Sequence, residues 1–153
     1  MRLTESQMEE LQGHLRGCPS FESRPWVSGP PISQRRVAII GTSGVHMPND
    51  RTFVYGESDS YRIIPGNANV DELMMAHGET TFDRTGFQRD SNILFPLDRL
   101  RELAAEGVIG SVADFHYSFG VPMPAKDFEI AAREIAAQLK KDRVDAALMC
   151  APV

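Results

Sequence analysis

The sequence predicts an α/β fold, namely a Rossmann-like three-layer sandwich with a mostly parallel sheet, preceded by an N-terminal helix and a proline-rich arm. Three observations predict it. Residues 37–40 are a continuous apolar run and residues 144–150 are apolar except for Asp145, and both segments are typical of buried strands. Residues 92–110 and 124–143 instead repeat apolar side chains at helical spacing. Strand and helix patterns alternate along the chain, which favours a parallel or mixed sheet covered by helices.

The length, composition and net charge of the chain exclude several classes of protein. A chain of 153 residues with 42% apolar and 24% charged residues is typical of one globular domain. A net charge of −5 and the lack of a basic patch argue against a nucleic-acid partner. No run of ~18 apolar residues and no signal-peptide pattern is present, so we expect a cytoplasmic protein without a membrane partner.

The first half of the chain predicts an N-terminal unit followed by strands. Residues 4–17 predict an amphipathic helix with Thr4 or Ser6 as its N-cap, Glu9 completing a capping box with Ser6, and its end near Gly17. Several prolines in residues 18–33 predict an extended arm, which divides the chain into an N-terminal unit, 1–33, and an α/β domain, 34–153. Strand 37–40 ends in a tight turn, and short strands are predicted at 52–55 and 61–64. Residues 72–76 favour a further strand, with a helical turn as the alternative.

The second half predicts helix, strand, helix, strand. Pro96 fits the first turn of a helix whose C-cap glycine is Gly107. A strand is predicted at 111–119, and the strongest helix follows at 124–143. The apolar strand 144–150 completes the order of elements.

The turn after strand 37–40 is the first candidate site. Backbone amides of this turn and the hydroxyls of Thr42 and Ser43 are suited to holding an oxyanion. The turn has neither a GxGxxG nor a GK[ST] pattern, so no nucleotide cofactor is expected. A plain tight turn is the equally weighted alternative.

Three histidines follow predicted strands or lie late in them. The ends of parallel strands converge at one edge of a sheet, so His46, His77 and His116 are predicted to face one cleft. Proton transfer is the favoured role, because imidazole titrates near neutral pH. A divalent-metal site is a weaker alternative, since no two of them have a local ligand spacing such as HxxxH. A structural or substrate-contact role stays open.

Two loops pair acidic and basic residues. Asp59, Tyr61 and Arg62 lie in "ESDSYRIIP", where Arg62 is a candidate clamp for a substrate carboxylate. The alternative is an Asp–Arg surface pair that orders the loop. Asp83 raises the same two alternatives together with Arg84.

The two cysteines, Cys18 and Cys150, lie far apart and are expected to be free thiols. Cys150 at the end of the last strand is a candidate nucleophile if neighbouring dipoles lower its pKa. A buried strand cysteine is more often an inert small hydrophobe, and this interpretation is favoured for Cys150 taken alone.

In order along the chain, "TSGVH", "ESDSYRIIP", "NILFPLDRLRELAAEGVIG" with "HYSF", and "VDAALMCAPV" resemble the selenoprotein B family of glycine, sarcosine, betaine and D-proline reductases. The resemblance runs from about Val37 to the end of the chain. It implies reductive cleavage of a carbon–nitrogen bond by a selenocysteine or cysteine in a U/C-x-x-C motif. Such a site needs an ionised soft nucleophile held over strand ends. Tyr117, in "HYSF", joins the expected substrate-binding residues.

The sequence departs from this family pattern at the motif itself, because no C-x-x-C is present and the chain ends at Val153. Three explanations compete: a UGA selenocysteine codon taken as a stop, a split gene, or a short protein with another role. We favour the first, which makes the α/β domain incomplete. A UAA or UAG codon after Val153 would exclude it.

The sequence therefore leaves three functions open. The first is a reductase or reductase fragment for a small nitrogen-containing carboxylate, with little activity as it stands. The second is a non-catalytic binding or assembly subunit on the same scaffold, and the third is a metal-dependent lyase or hydrolase. The strand 144–150 is expected to be an uncovered edge, which predicts a homo-oligomer or a complementary reductase subunit as partner.

Overall fold

A computed structural model describes residues 4–17, 20, 22, 26–54, 61–76, 83–120 and 125–151. The helices and strands follow one another in a mixed α/β order. They are α1 (Glu5–Gly17), β1 (Arg36–Gly41), β2 (Val45–His46), β3 (Arg62–Pro65), β4 (Met74–Met75), α2 (Thr85–Arg89), α3 (Leu97–Ala105), β5 (Ser111–Val112), β6 (Phe115–Ser118), α4 (Ala125–Lys141) and β7 (Ala146–Cys150).

β1 is the centre of a five-stranded, mostly parallel sheet. On one edge it pairs with β7 along its length, from Val37↔Ala146 to Gly41↔Cys150. On the other edge it pairs with β5 at its start and with β6 at its end. These three pairings are parallel, whereas β3 is antiparallel to β6. A second, two-stranded sheet joins β2 and β4.

The core has one cluster on each face of β1. Ile39 packs in a cluster with Phe95 and Leu97 at the start of α3. Ile40, which points to the other face, packs beside Tyr117 and the α4 residue Ile135. Residues of α3 belong to the first cluster and residues of α4 to the second, so the fold is mixed α/β with a mostly parallel sheet.

Several predicted elements are confirmed with different limits. Of the two predicted N-caps of α1, the structure has Thr4, because Thr4 and Gln7, not Ser6 and Glu9, exchange the capping hydrogen bonds. Gly107 ends α3 with a φ of 73°, as expected of a C-cap glycine. The strand predicted at 111–119 is two short strands, β5 and β6. β1 pairs with β5 at its start and with β6 at its end.

One strand prediction is wrong in the described residues, and another holds only in part. Residues 52–54 form no strand. In the segment 72–76, Met74–Met75 form β4, whereas Glu72 ends a 3₁₀ turn, Val70–Glu72, in agreement with the helical-turn alternative. Asn69 caps that turn by accepting a hydrogen bond from the Asp71 amide. A side-chain cap therefore overrode the apolar pattern at this position.

β7 is not the strand buried on both faces that its apolar sequence predicts. Leu148 is 40% exposed and Met149 is 68% exposed. Among the described strands only β1 pairs with it. β7 therefore forms an edge of the sheet, as the sequence predicts for strand 144–150. In the described part of the chain, no helix combines the length and apolar character needed to cross a bilayer.

Arg36 joins the start of β1 to the end of α4. Its guanidinium contacts Asp142 Oδ1 at 2.6 Å, Asp114 Oδ1 at 2.8 Å and the Val112 carbonyl at 2.7 Å. Asp142 Oδ2 in turn accepts a hydrogen bond from the Asp114 amide at 2.7 Å. Burial, the largest single effect, would raise the pKa of Asp142, but the hydrogen bonds and charge of Arg36 together with the amides of Asp114 and Phe115 hold that pKa below its usual value.

Removing the Asp142 carboxylate is expected to destabilise the fold. Asp142→Ala leaves Arg36 and two backbone amides without their acceptor, and should lower the free energy of unfolding by about 2–3 kcal/mol. Urea denaturation measures this change. The matched control is Glu129→Ala, because Glu129 pairs with Arg133 on the exposed side of α4 and should cost less than ~1 kcal/mol. Equal losses for the two variants would contradict the role assigned to Arg36 and Asp142.

Candidate functional site

The ends of three parallel strands are tied together at one edge of the sheet. The Thr42 amide donates to the Cys150 carbonyl at 3.0 Å, which joins β1 to β7. The Gly44 amide donates to the Phe119 carbonyl, and the Phe119 amide donates to the Gly41 carbonyl, both at 2.8 Å. The turn between β1 and β2 therefore lies between β6 and β7. We call this region, formed by residues 41–46, 118–120 and 150, the strand-end site.

Two serine side chains in the strand-end site are buried without a hydrogen-bond partner. Ser43 is 1% exposed and Ser118 is 0% exposed, and neither hydroxyl has a partner in the structure. An unpaired buried hydroxyl costs about 1–3 kcal/mol, so native structures retain one where a water or a ligand group can satisfy it. Thr42, by contrast, is exposed. The predicted oxyanion turn is thus placed where three strand ends meet.

His46 lies in β2 at this edge and is buried. Its Nδ1 donates to the Met47 carbonyl at 2.8 Å, because a carbonyl oxygen can only accept. In the neutral ring the lone pair is then on Nε2, which is the form needed to accept a proton. Phe53 meets the imidazole edge-on, with ring centroids 6.2 Å apart.

Arg62 lies at the start of β3, next to the same aromatic ring. Its Cζ is 4.4 Å from the centroid of the Phe53 ring. Nε donates to the Arg51 carbonyl at 2.7 Å and Nη1 to the Tyr61 carbonyl at 3.1 Å. A carboxylate bound by Arg62 would therefore have to share or replace these backbone acceptors. Asp59, the other charged residue predicted in this loop, lies outside the described residues.

Gly120 fixes the position of Phe53. A Cβ atom at Gly120 would overlap the ring of Phe53, so only glycine allows this approach. Phe53 is in turn packed between Arg62 and His46. The three predicted site residues Ser43, His46 and Arg62 are therefore linked through one loop and one aromatic ring that sequence reasoning missed.

The two tyrosines pack on the α4 side of the sheet. Tyr117 is almost fully buried and meets Tyr61 edge-on, with centroids 5.9 Å apart. The Tyr61 hydroxyl donates to Glu134 of α4 at 3.2 Å. Burial raises the pKa of both tyrosines, and for Tyr61 the Glu134 carboxylate adds to the effect. The predicted substrate-binding residues on these strands thus include two that contribute to the core around α4.

Asp83 supports the alternative of a structural residue. Its Oδ1 accepts a hydrogen bond from the Thr85 amide at 2.9 Å, at the start of α2. Hydrogen bonds from the Thr85 side chain and backbone lower the pKa of Asp83. The Asp83 side chain therefore forms an Asx turn just before α2, whose N-cap residue is Arg84.

His116 lies inside the sheet and does not face a cleft. Its ring is 0% exposed, and Nδ1 accepts a hydrogen bond from the Ile39 amide at 2.9 Å. Nε2 then carries the proton and has no partner in the structure. Burial, with a smaller contribution from the positive charge of Arg101, lowers the pKa of His116 to about 4. A role for His116 in proton transfer stays a prediction.

Cys150 ends β7 beside Gly41. Its side chain packs partly against the core cluster of Ile39 and Phe95. Burial raises the pKa of the Cys150 thiol above its usual value, so the protonated form dominates at neutral pH. This geometry agrees with the inert interpretation of Cys150.

A metal site was the weaker alternative for the histidines, and the part of the chain that the structure describes contains no cluster of metal ligands. No group of three or more His, Cys, Asp or Glu side chains there is arranged to hold an ion. His77, one of the three predicted ligands, lies outside the described residues.

Comparison with known proteins identifies the family. Residues 27–152 match the family described as glycine/sarcosine/betaine reductase selenoprotein B. The chain belongs to this family. Its members in the comparison include D-proline reductase subunit gamma of Acetoanaerobium sticklandii, which is 39% identical over 78% of this chain. Glycine reductase complex component B subunit gamma of Symbiobacterium thermophilum is 30% identical over 86% of this chain.

The match covers only part of these relatives. It spans 50% of the D-proline reductase subunit and 32% of the glycine reductase subunit. Betaine reductase complex component B subunit beta of Peptoclostridium acidaminophilum is 36% identical over 77% of this chain and 28% of its own length. No solved structure matches the chain. The chain therefore belongs to the family, whereas an activity like that of its longer relatives is a proposal.

His116 predicts a pH dependence of stability. The pKa is near 6.5 in the unfolded chain and about 4 in the folded one, so the unfolded state binds the proton more readily between these values. Stability should be full above pH 6.5 and fall by roughly 3 kcal/mol as the pH drops to 4. Urea denaturation at a series of pH values measures it.

The matching variant is His116→Phe, which removes both the titration and the acceptor for Ile39. It should be about 1–3 kcal/mol less stable at pH 7 and lose most of the slope between pH 6.5 and 4. An unchanged slope in the variant would show that other groups cause the pH dependence.

Cys150 is expected to react slowly with alkylating agents. In a Cys18→Ser background, iodoacetamide at pH 7 should modify Cys150 several-fold more slowly in the folded protein than in urea, because burial disfavours the thiolate. Mass spectrometry follows the reaction, and the folded rate should rise steeply above pH 9. Faster alkylation in the folded state at pH 7 would show an activated thiol and contradict the inert assignment.

Proposed function

We propose that this chain provides the substrate-binding strand ends of a selenoprotein-B-type reductase that acts on a small nitrogen-containing carboxylate. The observation that carries the proposal is the pair of buried, unpartnered hydroxyls of Ser43 and Ser118 where β1, β6 and β7 end. Ligands of open α/β sheets bind outside the carboxyl ends of the strands. The reductase relatives supply the substrate class, since their names cite D-proline, glycine, sarcosine and betaine.

Individual roles follow from the geometry of the strand-end site. Ser43 and Ser118 offer hydroxyls, and the exposed Thr42 lines the entrance. Arg62 is the candidate partner for the substrate carboxylate, held at its place by Phe53. His46 Nε2 is the candidate proton acceptor, since Nδ1 is occupied by the Met47 carbonyl.

The electron-transfer residue of this proposal lies outside these 153 residues. Reductive cleavage of a carbon–nitrogen bond needs two electrons, which a selenol–thiol or dithiol pair can supply by ending as a bridged, oxidised pair. The chain has only Cys18 and Cys150 and no C-x-x-C motif. Burial also raises the pKa of Cys150, which disfavours it as a nucleophile. The redox pair would come from another polypeptide segment.

Ligand titration followed by NMR tests the proposal. D-Proline, glycine, sarcosine and betaine are each titrated into the ¹⁵N-labelled chain, with L-proline as a stereochemical control. At least one of the four should shift the amide signals of Thr42–Gly44 and Ser118–Gly120 saturably. Ser43→Ala should weaken that binding about five- to tenfold, as expected for one lost hydrogen bond.

The control is Ser33→Ala, an exposed serine before β1, which should bind like the wild type. Saturable shifts elsewhere, or equal binding by both serine variants, would count against the strand-end site. The isolated chain is also expected to show no D-proline reduction with dithiothreitol, and activity that Cys150→Ser abolishes would refute the assignment of the redox pair to another segment.

A second candidate is a non-catalytic binding or assembly subunit on the same scaffold. The protonated, partly core-packed Cys150 favours it, because this chain then contributes binding and no redox chemistry. Either candidate keeps the Rossmann-like three-layer arrangement, which the packing of α3 and α4 on opposite faces of the sheet supports. The two differ in one readout: reduction of the bound ligand, once a segment with the redox pair is supplied, is required only by the first.

A further inference from the structure

Two polar atoms on one face of β6 are buried without a partner. His116 and Ser118 alternate with Tyr117 along this strand, so both point to the face that Tyr117 does not occupy. Each residue is 0% exposed, and neither His116 Nε2 nor Ser118 Oγ has a hydrogen-bond partner in the structure. Native proteins satisfy most polar atoms at this depth with another protein group or with internal water. Two such atoms on neighbouring residues of one face therefore indicate a shared partner.

The amide of Ile39 determines which of the two atoms donates. It donates to His116 Nδ1 at 2.9 Å, and an amide nitrogen cannot accept a hydrogen bond. The imidazole is neutral at pH 7 because burial lowers its pKa to about 4, so its single proton is on Nε2. His116 Nε2–H is therefore a donor in need of an acceptor, whereas the Ser118 hydroxyl can accept and donate.

The spacing of the two residues suits one bridging water. Side chains two residues apart on a strand leave the backbone about 6.5 Å from each other. Two hydrogen bonds through one water span about 5.5–6 Å, whereas a direct bond spans about 3 Å. His116 and Ser118 make no direct hydrogen bond in the structure. A bridge by one water is therefore the connection that fits both residues.

Gly41 leaves room for such a water. It is the residue of β1 that pairs with Ser118. A Cβ atom at Gly41 would meet nothing closer than Phe95 Cδ2, at 3.5 Å. A space the size of a methyl group, and so about the size of a water, thus lies beside Ser118. The ring of Phe95 also meets the imidazole of His116 edge-on, with centroids 6.1 Å apart, so the space and the imidazole lie against the same ring.

We propose that one internal water binds beside Gly41 between His116 Nε2 and Ser118 Oγ, and that His116 thereby acts as a positioning residue for the strand-end site. Nε2–H donates to the water, and the water donates to Ser118 Oγ. The proton of the Ser118 hydroxyl is then left to donate to a ligand at the strand ends. The part of the inference that concerns the ligand rests on the proposed function: Ser118 would bind an acceptor, the substrate carboxylate, and not a protonated nitrogen.

NMR of the imidazole tests the water directly. In the ¹⁵N-histidine-labelled chain, the signals of His116 are assigned by their loss in His116→Phe. Its ring should have the proton on Nε2, and Nε2–H should show a cross peak to a long-lived water. Gly41→Ala places a methyl group in the space and should remove that cross peak while Nε2 keeps its proton. A wild-type ring with the proton on Nδ1, or without the water cross peak, would overturn the proposal.

The stability of Gly41→Ala has an expected sign. In a dry space, the added methyl group would meet Phe95 at an ordinary contact distance, and replacing glycine by alanine would stabilise the fold. Displacement of a water instead leaves His116 Nε2 and Ser118 Oγ without a partner, so the urea midpoint should fall. A midpoint that stays or rises would contradict the proposal.

Gly86→Ala is the matched control for this measurement. A Cβ atom at Gly86 would meet only the side chain of Ile93, at 3.4 Å and beyond, and Gly86 lies inside α2, where alanine is favoured. The urea midpoint of this variant should not fall. Circular dichroism of both variants checks that the secondary structure is kept.

Ligand titration separates this inference from the proposed function. With D-proline, glycine, sarcosine and betaine as probes, Ser118→Ala should weaken binding about five- to tenfold in the wild-type background. In the Gly41→Ala background the same change should cost at most about twofold, because the hydroxyl is no longer directed by the water. An equal effect in both backgrounds would refute the positioning role. Absence of binding by all four probes, with the water cross peak present, would refute the proposed function and leave the internal water established.

Discussion

The amide of Ile39 lies where two strands that share one edge of β1 separate, and it needs an acceptor other than a strand carbonyl. β5 pairs with Arg36 and Val37, and β6 pairs with Ile40 and Gly41, which leaves a gap between them. The imidazole of His116 fills this gap and accepts the proton of the Ile39 amide. Because that bond requires a neutral ring, the continuity of the central strand depends on the protonation state of one buried side chain.

The same gap positions the candidate site. Once β6 has passed the gap, Ser118 lies directly beside Gly41, and its neighbour Phe119 exchanges backbone hydrogen bonds with the turn after β1. At the other end of the gap, the Arg36–Asp142 pair binds the amide of Asp114 and fixes where β6 begins. Buried polar groups inside the sheet and a partly buried ion pair at its start thus set the register that brings the strand ends together.

Periodicity and turn chemistry were sufficient to predict most of the fold. The apolar runs of β1 and β7, the apolar spacing of α3 and α4, and the glycine at the end of α3 are local signals, and each corresponds to an element. The break between β5 and β6 was not predictable, because it depends on His116 replacing a strand carbonyl over a distance of 77 residues in sequence. The prediction that β7 is buried was also wrong. An apolar sequence indicates that a strand favours burial, but it does not show whether another element packs over that strand.

The turn that contains Thr42 and Ser43 was predictable, because a glycine-flanked turn after a buried strand is a local pattern, whereas the role of these residues in a site stays a prediction. Ser118, Phe53 and Gly120 were missed. The fit of Gly120 against Phe53 is a long-range contact without a local signal, although Ser118 lies within the "HYSF" that carried the family resemblance. His46 and His116 were both predicted at the ends of strands, but their surroundings in the structure differ. His46 lies at the strand ends, whereas His116 is in the core.

The uncharged, two-faced β7 also has a consequence for the behaviour of this polypeptide during synthesis. Five consecutive apolar residues with a free edge have the composition of segments that nucleate cross-β aggregates. Arg143 and Asp145 precede β7 immediately, at the positions where natural sequences place residues that slow such self-association. Solubility of the chain in a cell should therefore depend on how soon after translation that edge is covered, and chaperones would be needed for as long as it is not.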